Sequence, residues 1–361
     1  FAAGEIDRRT QALGGDNNAF TSHDATAYYF NFATDRWRLA LEIEADRMAG
    51  LTLDATEVGS ERRVILEEIA MYEAEPWDAL EERVLARLFG DHPYGRPVLG
   101  TRRDLRAVGS DELAAFHSTA YRPSNAVLVV AGDVGEEAVE AVERAFGGIA
   151  DRAAKRPQPG AAEPVAAGTP GASRRVEQRK GEVPRLLVAF RVPASGEPDH
   201  ARLRVAAALL GSGRASRLER LLVDELELCS SAMADLTESV EPGTFTVSCE
   251  LVPGADPRRV EALVVGELAA LASGERPPSP VEVERVRRIL AADWVYGHER
   301  VHQQALAAGF ALALFDLGHA ERELGRATGS TADEVVAAAA RHLDPTSAVI
   351  GWSRPRPEAA A

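Results

Sequence analysis

Two carboxylates on one segment are the residues best placed to do chemistry in this sequence. Glu61 and Glu68 are seven residues apart, so a helix would place both on one stripe. Val64 and Ile65 share that stripe and should face the core, where a carboxylate needs a partner. The alternative is that both carboxylates lie at the edge of the stripe, solvated or paired with a neighbouring arginine, as acidic residues on helices usually are.

A second pattern with possible chemistry spans residues 298–302. His298 and His302 fit the His-Glu-x-x-His pattern of zinc peptidases, in which two histidines on one helix face bind the metal. Glu321 or Glu323 could then serve as a third ligand. With two free positions in five, the pattern is a weak signal, and the alternative is a set of solvated helix residues.

The elements that would position the acidic helix begin with a turn and a strand. Gly14 and Gly15 permit a tight backbone turn. The run from Asn18 to Phe32 is rich in threonine, phenylalanine and tyrosine, which is typical of extended chain. The sequence therefore predicts strands over this run, followed by helices that include residues 61–68.

The order of these motifs resembles the pitrilysin/insulinase family of zinc metallopeptidases, which includes the mitochondrial processing peptidases and has the inverted signature His-x-x-Glu-His. The resemblance covers nearly the whole chain. The matching segments are residues 14–29, 61–68, 91–100, 121–125 and 127–133.

The resemblance implies a zinc site in which Glu68 is the third protein ligand and Glu61 supports it. Glu67 lies about 100° away from that helix face and is the weaker candidate. The two histidines and the catalytic base of the inverted motif would precede Phe1, so we expect no catalytic residue within this chain. Either the sequence is a fragment of an active zinc endopeptidase, which we favour, or the parent protein lacks the motif and is a non-catalytic structural or substrate-presenting subunit.

The resemblance also implies a peptide-binding role for Asn18, Ala19, Phe20 and Thr21, with the first two closest to the cleaved bond. If this segment is a sheet edge, it can pair with an extended peptide through backbone hydrogen bonds, which gives affinity without sequence specificity. The alternative is an interior strand without such a role.

The second half departs from the family pattern at two positions. Single-chain members carry an arginine and a tyrosine after a Gly-Ser-rich turn, and both hold the substrate and help to stabilise the oxyanion. Residues 210–218 match the turn, but Val223 and Ser230 stand where the arginine and tyrosine are expected. We therefore expect a heterodimer in which a second peptidase-family chain supplies that pair.

A proline-rich stretch without hydrophobic periodicity predicts a domain boundary. We expect a linker over 153–184, between an N-terminal peptidase lobe at 1–152, which lacks its first segment, and a C-terminal peptidase-like lobe at 185–361. The linker prolines are Pro157, Pro159, Pro164 and Pro170.

The two predicted lobes share a pattern, which indicates a diverged duplication. The corresponding segments are 229–251 with 18–32, 281–290 with 58–66, and 298–302 with 73–80. The last pair weakens the His298 and His302 hypothesis, because the first copy has no metal-binding pattern there. Strand pairs mixed with long helices predict an α+β protein with two homologous lobes, each a mainly antiparallel sheet with helices packed on one face. The resemblance implies that the lobes face each other across a cavity.

Composition excludes several classes of protein. A net charge of −15 without a basic block makes a nucleic-acid partner unfavourable and suits peptide substrates. Two cysteines exclude a disulfide scaffold, and Cys249 alternates with apolar residues, as in a buried strand. We find no run of apolar residues long enough for a membrane span and expect a soluble protein, periplasmic or cytoplasmic if bacterial.

Overall fold

A computed structural model describes residues 1–2, 4–151 and 175–355. The predicted α+β class is confirmed. The helices, in chain order, are α1 (Glu5–Ala12), α2 (Arg38–Ala49), α3 (Ala55–Ala74), α4 (Pro76–Phe89), α5 (Arg102–Ala107), α6 (Ser110–Ala120), α7 (Glu137–Phe146), α8 (Pro198–Gly211), α9 (Pro257–Ala272), α10 (Pro280–Gly297), α11 (Val301–Leu314), α12 (His319–Gly329) and α13 (Ala332–His342). The strands are β1 (Asp16–Thr21), β2 (Thr26–Asn31), β3 (Arg175–Arg179), β4 (Arg185–Arg191), β5 (Cys229–Leu236), β6 (Thr244–Leu251) and β7 (Val349–Arg354).

The first of two compact units is built around the β1–β2 hairpin. It comprises Phe1–Glu67, Val98–Ala161 and Gly297–Leu317. The two strands pair antiparallel, with Asp16 opposite Asn31 and Thr21 opposite Thr26. Its main buried cluster is small, and is formed by Trp37, Leu41 and Ala141 with partly buried neighbours.

The second unit has a larger sheet and a larger core. It comprises Glu68–Pro97, Ala162–Tyr296 and Gly318–Ala361. Its five strands lie in the order β3-β7-β4-β6-β5, and only the β3–β7 pair is parallel.

Strand β4 explains why both faces of this sheet are covered. Leu186, Val188 and Phe190 pack into one cluster with α8, α9 and α13, whereas Leu187 and Ala189 pack into another with α4. Since successive side chains of a strand point to opposite faces, an unbroken apolar run requires cover on both sides. All five side chains are at most 5% exposed.

The two units exchange helices between the halves of the sequence. The order β1-β2-α2-α3-α4 in the first half recurs as β5-β6-α9-α10-α11 in the second. Yet α4 lies in the second unit, against β7 and β4, and α11 lies in the first. Each unit is therefore completed by a helix from the other half of the chain.

Strand β3 begins at Arg175, inside the range predicted to be a linker. It pairs in parallel with β7, and so forms one edge of the five-stranded sheet. The preceding part of that predicted linker, with its prolines, lies outside the described residues. Among the described residues, no helix combines the length and the hydropathy needed to cross a bilayer.

Candidate functional site

Helix α3 carries the predicted metal-binding carboxylate. Glu68 is half-buried, whereas Glu61 and Glu67 are exposed. Glu68 precedes Ile69, the buried residue of this helix, which is 8% exposed. The two predicted site carboxylates therefore lie on one helix but in different surroundings.

The expectation that Val64 faces the core is wrong, because this side chain is 58% exposed. Val64 shares a face of α3 with Ile65, but the described residues leave the Val64 side chain exposed. Periodicity shows which side chains share a face, but it does not show whether another element covers that face.

The described residues do not form a zinc site on their own. They contain no group of three or more histidine, cysteine, aspartate or glutamate side chains that could hold a metal ion. Zinc peptidase sites need three protein ligands, and Glu68 supplies one carboxylate. The described residues therefore fit one ligand of such a site but not the whole site.

The alternative zinc pattern at 298–302 lacks the geometry that it requires. His302 lies in the first turn of α11, whereas His298 lies in the turn between α10 and α11. The two histidines therefore do not share a helix face, which the His-Glu-x-x-His arrangement needs. The His302 ring instead packs on the Tyr29 ring of β2, with 4.5 Å between their centroids.

Strand β1 presents the predicted peptide-binding residues at the surface. Asn18, Ala19, Phe20 and Thr21 are all exposed. Among the described residues, β1 pairs with β2 alone, so one edge of β1 has no strand partner. The N–H of Ala19 donates to the Asn18 side chain at 2.8 Å and is therefore not used in the ladder with β2.

The side chains of β1 divide between the two faces of the hairpin. Asn18 and Phe20 lie on one face and Ala19 and Thr21 on the other, because side chains alternate along a strand. The Phe20 ring stacks on Phe310 of α11, with 5.5 Å between the ring centroids. The face that carries Phe20 is thus partly covered by α11, while Phe20 itself stays 41% exposed.

The corresponding strand of the second half, β5, has a blocked outer edge. The N–H of Ala232 donates to the Glu219 carboxylate at 3.3 Å. A Cβ atom at Gly211 would collide with the backbone nitrogen of Ala234, so the end of α8 lies directly against this strand. Sequence reasoning missed this difference, because nothing in the strand pattern of β5 shows what lies beside it.

The Gly-Ser-rich turn before β5 is anchored by an arginine. Arg217 makes two hydrogen bonds to Glu282 of α10, at 2.7 and 3.0 Å, and also donates to the carbonyls of Arg276 and Pro277. The paired Arg217 guanidinium lowers the pKa of Glu282 to about 2, against the effect of partial burial, and Ser279 contributes two further hydrogen bonds. This arginine fixes the turn to α10, so it has a structural role.

The two positions where the family pattern has an arginine and a tyrosine offer neither a cation nor a phenol. Val223 lies in a π-helical turn at Glu219–Glu225 and packs against the core cluster of the second unit. The Ser230 hydroxyl donates to the Glu250 carbonyl at 3.3 Å. Ser230 stands at an irregularity in the register between β5 and β6.

Two family models match this chain. The model described as "Insulinase (Peptidase family M16)" matches residues 1–102, and the model described as "Peptidase M16 inactive domain" matches residues 107–290. The first match contains both Glu68 and β1. The second contains the Gly-Ser-rich turn and β5.

Similar proteins include several named zinc proteases. An uncharacterized zinc protease of Mycobacterium leprae is 33% identical over 268 residues, which is 73% of this chain and 60% of that protein. The zinc protease PqqE of Helicobacter pylori is 28% identical over 297 residues, 81% of this chain and 66% of that protein. The chain thus matches about 60% of the length of the first of these relatives.

Solved structures share the fold. A protease from Helicobacter pylori matches with a TM-score of 0.88 and 24% identity, over 98% of this chain and 85% of that one. A peptidase M16 inactive domain from Pseudomonas fluorescens matches with a TM-score of 0.81 and 22% identity, over 99% of this chain and 85% of that one. The two family models, of which one covers more than half of the chain, show that the chain belongs to the insulinase family of peptidases, family M16.

Proposed function

We propose that this chain is part of a zinc-dependent endopeptidase subunit that cleaves extended or unfolded peptides. In this proposal Glu68 supplies the third zinc ligand, Glu61 supports the site, and β1 binds the substrate backbone. The observation that carries the proposal is the match of residues 1–102 to the peptidase model of the family, since that range holds both Glu68 and β1. The names of the relatives as zinc proteases support the choice of metal.

The remaining zinc ligands and the base would come from a His-x-x-Glu-His segment, which is not among these 361 residues. The contribution of this chain to the site is a single half-buried carboxylate at a fixed place on α3. One carboxylate does not hold zinc by itself, so metal binding would depend on the histidines of that segment.

The exposed edge of β1 supports strand addition as the mode of substrate binding. An extended peptide placed beside β1 would meet the edge of the strand that is not used in the ladder with β2, although the N–H of Ala19 would first have to exchange its bond to the Asn18 side chain for one to the peptide. Such pairing recognises the peptide backbone, so it favours unfolded segments over a fixed sequence. The blocked edge of β5 makes the corresponding strand of the second half unsuitable for the same role.

We also propose that a second peptidase-family chain supplies the arginine and tyrosine that this chain lacks. Val223 is an apolar side chain packed against the core cluster, and the Ser230 hydroxyl bonds to a backbone carbonyl, so these positions offer a substrate neither a cation nor a phenol. The proposed assembly is a heterodimer with one metal-binding chain.

A non-catalytic subunit is the second candidate function. It is favoured by the description of the larger matched model as an inactive domain. On this hypothesis the full-length protein would present or support peptides without binding zinc.

The test is the zinc content of the full-length protein, measured by plasma mass spectrometry, in the wild type and in the Glu68→Gln variant. Removing one of three protein ligands should lower zinc occupancy at least about tenfold at limiting metal, together with peptide cleavage. The Glu67→Gln variant changes the adjacent exposed carboxylate of the same helix and should keep both.

Each other outcome contradicts part of the proposal. Full zinc occupancy and activity in Glu68→Gln would remove this residue from the site. A wild-type protein that binds no zinc would favour the non-catalytic function. Circular dichroism and the melting temperature of both variants show whether a loss arises from unfolding.

A further inference from the structure

A cluster of aromatic and charged side chains holds the face of the hairpin opposite to Phe20. Tyr28 of β2 lies directly across from Ala19 of β1, so the two side chains share that face. The hydroxyl groups of Tyr28 and Tyr121, which follows α6, are 2.6 Å apart and share one hydrogen bond. Burial, and then this hydrogen bond, raise the pKa of Tyr28 well above its ordinary value, so the hydroxyl keeps its proton.

Three further side chains close the cluster. The Arg47 guanidinium of α2 lies over the Tyr28 ring at 4.3 Å and pairs with Glu44 at 3.1 Å. The His117 ring of α6 stacks on Tyr121 with 4.7 Å between the centroids, and its Nε2 lies 2.9 Å from the Arg47 carbonyl oxygen. Apart from Glu44, which pairs with Arg47 alone, each member contacts two others or more, so β2, α2 and α6 are joined at one point by hydrogen bonds and ring contacts.

This cluster matters for β1 because a two-stranded hairpin has little stability of its own. Among the described residues, no third strand fixes the position of the hairpin. The contact through Tyr28 is one hold on this face, and it lies opposite a proposed substrate-binding residue.

We propose that Tyr121 is a positioning residue for the peptide-binding strand: through the hydroxyl of Tyr28 it holds β2, and with β2 it holds the outer edge of β1 in the geometry that an incoming peptide needs. The proposal rests on the proposed role of β1 in substrate binding. Tyr121 touches no substrate in this scheme. Its effect on binding is transmitted through one hydrogen bond and the backbone ladder between the two strands.

The experiment uses the full-length protein, freed of zinc by a chelator so that the probe is not cleaved, and an unstructured fluorescein-labelled peptide followed by anisotropy. Tyr121→Phe removes one hydroxyl and keeps the ring stacked on His117. We expect the dissociation constant to rise about fivefold, as the loss of one hydrogen bond allows, with a melting temperature within 2 °C or so of the wild type. In the zinc-loaded protein KM should rise by a similar factor, while kcat changes less than about twofold.

A double-mutant cycle separates positioning from general loosening. Tyr28→Phe should weaken binding as much as Tyr121→Phe, and the double variant should lose no more than either alone, because both single changes remove the same hydrogen bond. Tyr296→Phe, at a phenol on α10 that is 68% exposed, is the matched control and should bind like the wild type.

Unchanged binding in Tyr121→Phe, additive losses in the double variant, or a wild-type protein that binds no peptide would each overturn the proposal. So would a fall in melting temperature without a change in affinity. The result is separable from the zinc test. Zinc retained by Glu68→Gln together with weaker peptide binding by Tyr121→Phe would remove the metal role and keep the positioning role, and the reverse pattern would do the opposite.

Discussion

Glu227 shows how a single residue can conflict with its backbone. Among the described residues, it alone combines a side chain with a left-handed backbone, at φ 49°. It lies between the π-helical turn and β5, in the segment that fixes the start of that strand. A side chain in this conformation costs on the order of 1 kcal/mol relative to glycine.

We therefore expect Glu227→Gly to raise the free energy of unfolding by up to about 0.5 kcal/mol, because the relief of strain slightly exceeds the added freedom of the unfolded chain. Urea unfolding followed by circular dichroism measures this change. Glu227→Ala is the matched control, because it removes the carboxylate but keeps the strain, and it should give no gain. Equal stabilisation by alanine and glycine would show that the carboxylate, not the backbone, is the source of the effect.

At the scale of elements, the Gly-Ser-rich turn and α10 are joined by the pair Arg217 and Glu282. The pKa of Glu282 falls from its ordinary 4.5 to about 2 in the folded protein, first because of the hydrogen bonds from Arg217. A carboxylate whose pKa is depressed by folding adds stability that is fully present above its unfolded pKa. That stability is lost as the pH falls toward the folded pKa.

Glu282→Gln should accordingly lower the free energy of unfolding by about 1–2 kcal/mol at neutral pH. The difference from the wild type should shrink as the pH falls from about 5 toward 2, because the wild-type carboxylate becomes protonated. Glu284→Gln, on the same helix but in an exposed pair with Arg288, should change stability little. A difference between wild type and Glu282→Gln that stays constant over this pH range would contradict the assigned partner.

At the scale of the whole molecule, the exchange of α4 and α11 ties the two halves of the sequence together. Leu80, Val84 and Leu88 of α4 fill the cluster on one face of the second unit's sheet, although they precede that sheet by about a hundred residues of chain. In the first unit, α11 contributes Phe310 and His302 to contacts with the hairpin. Neither half of the sequence holds all the residues that its own sheet packs against.

The proposed division of labour between two chains is also tested at this scale. The isolated full-length protein, shown by light scattering to be free of a partner, should cleave an unfolded peptide about a hundredfold more slowly than its complex with the arginine- and tyrosine-bearing chain. Removal of oxyanion-stabilising groups has an effect of that size. Equal turnover numbers for the isolated protein and the complex would show that the chain needs no such partner.

Several features of the molecule could be predicted from the sequence because they depend on local chemistry. Enrichment in threonine, phenylalanine and tyrosine predicted strands where β1 and β2 lie, and residues 61–68 were predicted to be helical, as they are in α3. The repeated order of strands and helices predicted a duplication, which the element order supports. The motif segments also pointed to the insulinase family without any knowledge of contacts.

Other features required the tertiary structure, because they depend on which surfaces meet. The exposure of Val64, the blocked edge of β5 and the separation of His298 from the helix of His302 follow from packing and from the exact ends of elements, which periodicity does not fix. The exchange of α4 and α11 likewise leaves no local signal, because an apolar helix face shows that it needs a partner but not which sheet supplies it. The sequence by itself determined the elements and the residues that could do chemistry. The tertiary structure decided which of them are covered, joined or left open.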